Sequence, residues 1–177
     1  TITLAVLCAV GLLGTSYNLY TVIPFFDDIL HTLSGIIFAE LGYLISDIFF
    51  KDDDTNKTFI GKLIFAFSFS LAIGFIWELI EWASYNLFGL DMEEDSLITW
   101  FNSYYITGSH DHATIIDSVT KTVIYYNDGL VQEIEGGYLD IGLIDTLTDM
   151  LVCFIGTICY LVYKIIYRVI YNKRHHR

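Results

Sequence analysis

Basic residues are scarce in this chain: nine Lys and Arg stand against 21 Asp and Glu, for a formal net charge of −12. Between Gly89 and Asp140 lie ten acidic residues and a single basic one, Lys121. So acidic a surface argues against a nucleic-acid partner, and the uneven spread of charge points to membrane topology instead. Cysteine is equally sparse. Cys8, Cys153 and Cys159 all fall in apolar runs at spacings that match no zinc or haem motif, which predicts buried, inert thiols. There is no Gly-rich phosphate loop, no nucleophile elbow and no internal repeat. A basic leader with a cleavage site is also missing. The sequence opens on Thr1 rather than methionine, which leaves room for residues and spans before it.

What is present is apolar. The chain is 54% hydrophobic and 16% aromatic, with a mean hydropathy of +0.53. These values fit a polytopic membrane protein rather than a water-soluble domain. Four apolar segments are expected as helices, because open strands would strand backbone groups in lipid. They cover about residues 2–20, 27–50, 59–88 and 141–171, the first closing near Pro24. The fold class expected is an all-α bundle of about four transmembrane helices. Residues 1–90 hold the first three spans, 91–140 an extracytoplasmic acidic loop or cap, and 141–177 the last span and a basic tail. Basic residues 51–62 and 164–177 are separated by two spans and therefore share a side, the cytoplasm by the positive-inside rule. In the cap, "TVIYYNDGLVQEI" (122–134) reads as a β-hairpin turning at Asn127-Asp128-Gly129. The aromatic stretch 97–105 suits a membrane interface.

Against this background the charged residues inside the spans stand out. Lys62 and Glu78 bracket fifteen uncharged residues, fewer than the about 20 that a span requires. Either the helix stops short, or Glu78 and Glu81 lie in the hydrocarbon. Glu78 and Glu81 are three apart, and Asp27 and His31 four apart, as are Asp145 and Asp149. Each pair shares one helix face. The topology puts all three pairs in the outward half of the membrane. Five carboxylates with one imidazole require a cation or shared protons. His31, Glu78, Glu81, Asp145 and Asp149 form a hard donor set suited to Mg, Mn, Fe or Zn. Glu78 or Asp27 remains as general base. Helix-end acids also cap N-termini, the role expected for Asp28 and an alternative for Asp27 and Asp145. Glu40, nine residues from His31, falls on the opposite helix face. The loop His110-Asp111-His112 is expected to be solvated, and His175 and His176 to lie in a tail that meets anionic lipid. Trp77, Trp82 and Tyr85 flank the glutamates.

Three stretches carry a family resemblance. "FDDILHTLSG", "GFIWELIEW" and "LIDTLTDMLVCFIGT" resemble the YjdF-type bacterial inner-membrane proteins, themselves similar to VanZ-like proteins. The matching positions are Asp27, His31 and Gly35; Trp77, Glu78, Glu81 and Trp82; and Asp145, Thr146, Asp149, Met150 and Gly156. The resemblance covers roughly residues 15–90 and 136–163. It implies a multi-pass protein of the bacterial inner membrane with an envelope or lipid-related role. The sequence departs from that pattern at Asp28, where the family usually has arginine or a similar residue, and in an expanded region before the last motif.

Three functions compete at this point. A divalent-metal-dependent membrane enzyme would act on a lipid or lipid-linked envelope precursor. A cation- or proton-coupled transporter would need polar steps toward the cytoplasm, for which Glu40 and Asp47 are available. A non-catalytic envelope protein would use the polar cluster for stability. Membrane lipid is the expected partner, and the oligomeric state is left open.

Overall fold

The computed structural model describes residues 10, 11, 13, 14, 16, 17, 19–50 and 55–175. The expected first span, residues 2–20, falls largely outside them, as do Cys8 and the side chains of His175 and His176. A helical turn at Leu19–Val22 leads into Pro24. Helix α1 then runs Phe26–Ile45 and tightens into a 3₁₀ turn at Ser46–Ile48. Its N-cap is Phe25, in a left-handed conformation (φ 61°) with no side-chain capping bond. Asp27 and Asp28 therefore sit in the first turn, where they meet the positive end of the helix dipole, and neither is the cap residue.

Helix α2 spans Asn56–Phe88, 33 residues without a break. Thr55 caps it by accepting a hydrogen bond from Thr58 N–H at 3.2 Å. Gly89, at φ 65°, ends it by donating to the Tyr85 carbonyl. At 1.5 Å per residue the helix is about 50 Å long, well beyond the hydrocarbon thickness of about 30 Å. It does not stop short of the glutamates but continues seven residues past Glu81. The third long helix, α3, spans Leu143–His175. By length and composition, α1 with its 3₁₀ extension, α2 and α3 can each cross a membrane.

The chain divides into two compact units, one of Thr1–Leu90 with Leu147–Arg177, the other of Asp91–Thr146. In the first unit α2 runs antiparallel to α1 and α3. Gly35 of α1 meets Ser70 of α2 and Cys153 and Thr157 of α3. Farther along, Tyr43 packs edge-on against Phe59 and Tyr160. At that end Lys62 pairs with Asp47 at 2.6 Å, and Arg168 lies over the Phe59 ring. The bundle thus has a basic end and, opposite it, an end carrying the acids. Small residues permit the close crossings. A Cβ at Gly35 would strike the Cys153 carbonyl, and one at Gly156 the Thr32 carbonyl. Close backbone approach through small residues is how helices associate where lipid removes the hydrophobic drive.

The second unit holds three antiparallel two-stranded ribbons: β1 (Ser96–Ile98) with β6 (Tyr138–Asp140), β2 (Phe101–Ser103) with β3 (Thr114–Ile116), and β4 (Lys121–Tyr126) with β5 (Leu130–Glu135). The β4–β5 hairpin turns through Asn127, Asp128 and Gly129, all at positive φ, where that turn signal places it. The other four strands have three residues each, too short to show alternation in the sequence. The fold class expected from sequence therefore needs enlarging: a helical bundle with three small sheets rather than one hairpin.

Candidate functional site

Position along α2 decides which side chains meet the other helices. Glu78 and Glu81 are 6% and 7% exposed, whereas Trp77, Leu79, Ile80 and Trp82 between and beside them are 45–60% exposed. This segment is inside out, with acids turned inward and large apolar groups turned outward. In water such an arrangement would waste apolar burial. In lipid it is the favoured one.

The acids face α1 and α3. On α1, Asp27 and His31 stack one turn apart, with His31 Nε2 3.7 Å from Asp27 Oδ1. His31 Nδ1 points to Glu78 Oε1 at 3.6 Å. Nε2 also faces Asp149 Oδ2 of α3 at 3.8 Å. Asp149 is 2% exposed and His31 8%. Asp27 is the most open, its side chain 20% exposed. Among the described residues this cluster gathers four carboxylates from three helices around one imidazole. They cannot all be ionised together in a low-dielectric interior, so a cation or shared protons must balance them.

Two trios have ligand atoms mutually within 4.8 Å, namely Asp27, His31 and Asp149, and His31, Glu78 and Glu81. Metal–oxygen and metal–imidazole bonds are about 2.0–2.2 Å long, so two ligands of one ion lie up to about 4.3 Å apart. A small side-chain adjustment would bring either trio to that spacing. His31 belongs to both trios, and opposite edges of its ring face different carboxylates. This resembles the arrangement in which one ring nitrogen binds an ion and a carboxylate orients the other.

Asp145 belongs to the other unit, where its Oδ2 accepts the Glu94 N–H at 2.7 Å. Glu40 Oε2 lies 4.0 Å from Lys164 Nζ, toward the basic end. His110, Asp111 and His112 are exposed, as their loop composition suggests. Cys153 is buried, whereas Cys159 is exposed on the outer face of α3. A polar knot lies one to two turns from the cluster. The Ser70 hydroxyl donates to the Gly35 carbonyl at 3.0 Å and lies 2.8 Å from Thr157 Oγ1. Thr157 also donates to Cys153 O at 3.0 Å. Both hydroxyls are fully buried. Their signal was available as isolated Ser and Thr inside apolar helices near small residues.

Three helices of spanning length, with acids facing in and apolar side chains facing out, define an α-helical membrane protein. The chain belongs to the family described as predicted membrane protein (DUF2238), whose model matches residues 1–169. No curated protein matches the chain, and neither does any solved structure.

Proposed function

We propose that the cluster is a divalent-metal site and that the protein is a membrane-embedded enzyme acting on a lipid or lipid-linked envelope precursor. The observation that carries this reading is three buried carboxylates, a half-buried fourth and a buried imidazole, gathered from three separate helices. Intramembrane ionisable groups are costly, by a few kcal/mol each on insertion scales, and are functional by default. His31, Glu78 and Glu81, all buried, would hold the ion. Bound there, it would supply Lewis acidity and lower the pKa of a water ligand. Asp149 and Asp27, on the Nε2 edge of His31, fix the ring. Asp27, the carboxylate most open to its surroundings, serves as general base.

In this reading the basic end of the bundle, with Lys62, Lys164, Arg168 and the tail beyond, faces the cytoplasm. The cluster then lies in the outer half of the membrane and the acidic loop 91–140 lies outside. The likeness to YjdF-type and VanZ-like proteins adds a bacterial envelope setting. A transporter would need Glu40 and Asp47 as steps across the membrane. Each is placed beside a lysine instead, Lys164 and Lys62 respectively, which favours the enzyme.

The test is metal analysis by mass spectrometry on protein purified without chelator. Wild type is expected to carry stoichiometric metal, and Glu78→Gln and Glu81→Gln to lose it while still folding. Metal-free wild type, with the glutamate variants failing to fold, would favour a purely structural cluster.

A further inference from the structure

Between α2 and α3 the first unit carries a groove of about 330 Å³, whose lining residues all belong to these two helices. Its walls include Leu71, Phe75, Met150, Leu151 and Phe154, and its one charged lining residue is Glu78. Gly74 and Cys153 also line it. A Cβ at Gly74 would sit 3.1 Å from Cys153 Sγ, so the glycine leaves space there that a side chain would take up. Phe154 of its lining also packs edge-on against Phe67, their ring centroids 6.0 Å apart.

The groove runs along the helices from Leu71 to Glu78, seven residues or about 10 Å. Because α2 and α3 are antiparallel, Leu147 and Met150 lie beside Glu78, and Phe154 lies toward Leu71. One end is thus wholly apolar, and the other opens on a carboxylate that also belongs to the His31 cluster. The rim is apolar and open. Phe75 and Leu151 are 51% and 56% exposed, on helices long enough to span a bilayer. What surrounds such a groove in a membrane is hydrocarbon. Its size is at the lower end of ligand pockets.

We infer that this groove seats a fatty acyl chain of a bilayer phospholipid, entering sideways from the membrane and presenting its polar end to Glu78. The inference rests on the enzymatic reading above and narrows its substrate to an acyl lipid. A continuous apolar wall selects the chain. The abrupt change at Glu78 sets where the chain must end and the head group begin. The length of the groove, about a third of the hydrocarbon thickness, means that only the segment nearest the head group is held.

The test is photolabelling of the full chain reconstituted in phosphatidylcholine vesicles doped with a phospholipid carrying a diazirine on its acyl chain. Mapping by mass spectrometry is expected to find label concentrated several-fold on residues 71–75 and 150–154, relative to the exposed Ile165 and Ile166. Leu151→Trp, which fills the groove from its lipid-facing rim, is expected to cut that label several-fold. Leu71→Trp is a second obstruction should the first fail to fold, and Ile166→Trp, outside the groove, leaves labelling unchanged. Even labelling of all lipid-facing residues, or labelling unaffected by both obstructing variants, overturns the proposal. Metal content measured on the same samples separates the two claims. Groove labelling on a metal-free protein would sink the metal site alone. Metal-loaded protein with even labelling would sink the groove alone.

Discussion

Gly35 is the position where the smallest chemical change should do the most damage. Replacing it with alanine adds one methyl group, which would strike the Cys153 carbonyl and come within 3.0 Å of Thr157 N. Both are α3 backbone atoms, so no side-chain rotation can relieve the contact, and α1 and α3 must move apart. Overpacking of this kind costs about 1–3 kcal/mol. The same shift loosens the Ser70 hydrogen bond to the Gly35 carbonyl. Interhelical hydrogen bonds in membranes contribute about 0.6 kcal/mol each. A total of about 2–4 kcal/mol follows. Gly156→Ala meets Thr32 across the same crossing, so the two substitutions should be less than additive, since the first already separates the helices. Unfolding in mild detergent by titration with a denaturing surfactant measures the loss, and metal content measures its reach to His31 and Asp149. Near-wild-type stability in Gly35→Ala, or full additivity with Gly156→Ala, would refute the close crossing.

Three further outcomes are expected. Ser70→Ala should cost roughly 0.5–1.5 kcal/mol, and a double-mutant cycle with Thr157→Val should show coupling, because the two hydroxyls are 2.8 Å apart. Zero coupling energy would deny that contact. Glu40→Gln should leave metal content unchanged, since Glu40 lies by Lys164 rather than His31, and metal loss in that variant would revive a transmembrane route. In the outer unit, burial pushes the Glu93 carboxyl above its ordinary 4.5, against a hydrogen bond with Thr146 and with help from Asp145. A group whose native pKa is raised stabilises the fold below 4.5 and loses that contribution as pH climbs through the native value. Carboxyl NMR titration should therefore place Glu93 above 4.5, and Glu93→Gln should flatten the acid-side pH dependence of the unit's stability. An inflection at or below 4.5 would contradict this.

How far the site was legible in sequence depended on helical spacing. Glu78 and Glu81 at i,i+3 and Asp27 and His31 at i,i+4 had to share faces on any helix, and their charge made an inward direction the low-energy one. Asp149 followed from the same rule. Asp145 did not separate from Asp149 on spacing alone. What distinguishes it is its hydrogen bond to Glu94 N–H, a contact 51 residues away in the chain that no local pattern encodes. Helix α2 begins at Asn56, ahead of the apolar run from residue 59, because Thr55, not an apolar residue, sets the cap. The three-residue strands and their partners, such as Ser96 with Asp140, were invisible for the same reason as the Glu94 bond. Ser70 and Thr157 were readable as polar residues in apolar helices, yet only the crossing at Gly35 shows why they meet.

The account stands or falls on what surrounds a metal ion bound to the intact protein, which X-ray absorption at the metal edge reports directly. Wild type is expected to show an oxygen and nitrogen shell with one imidazole, and His31→Gln to lose the imidazole signal while folding as wild type does. A hydrated-ion spectrum in wild type, or an imidazole signal that survives in His31→Gln, would place any metal elsewhere and contradict the buried site.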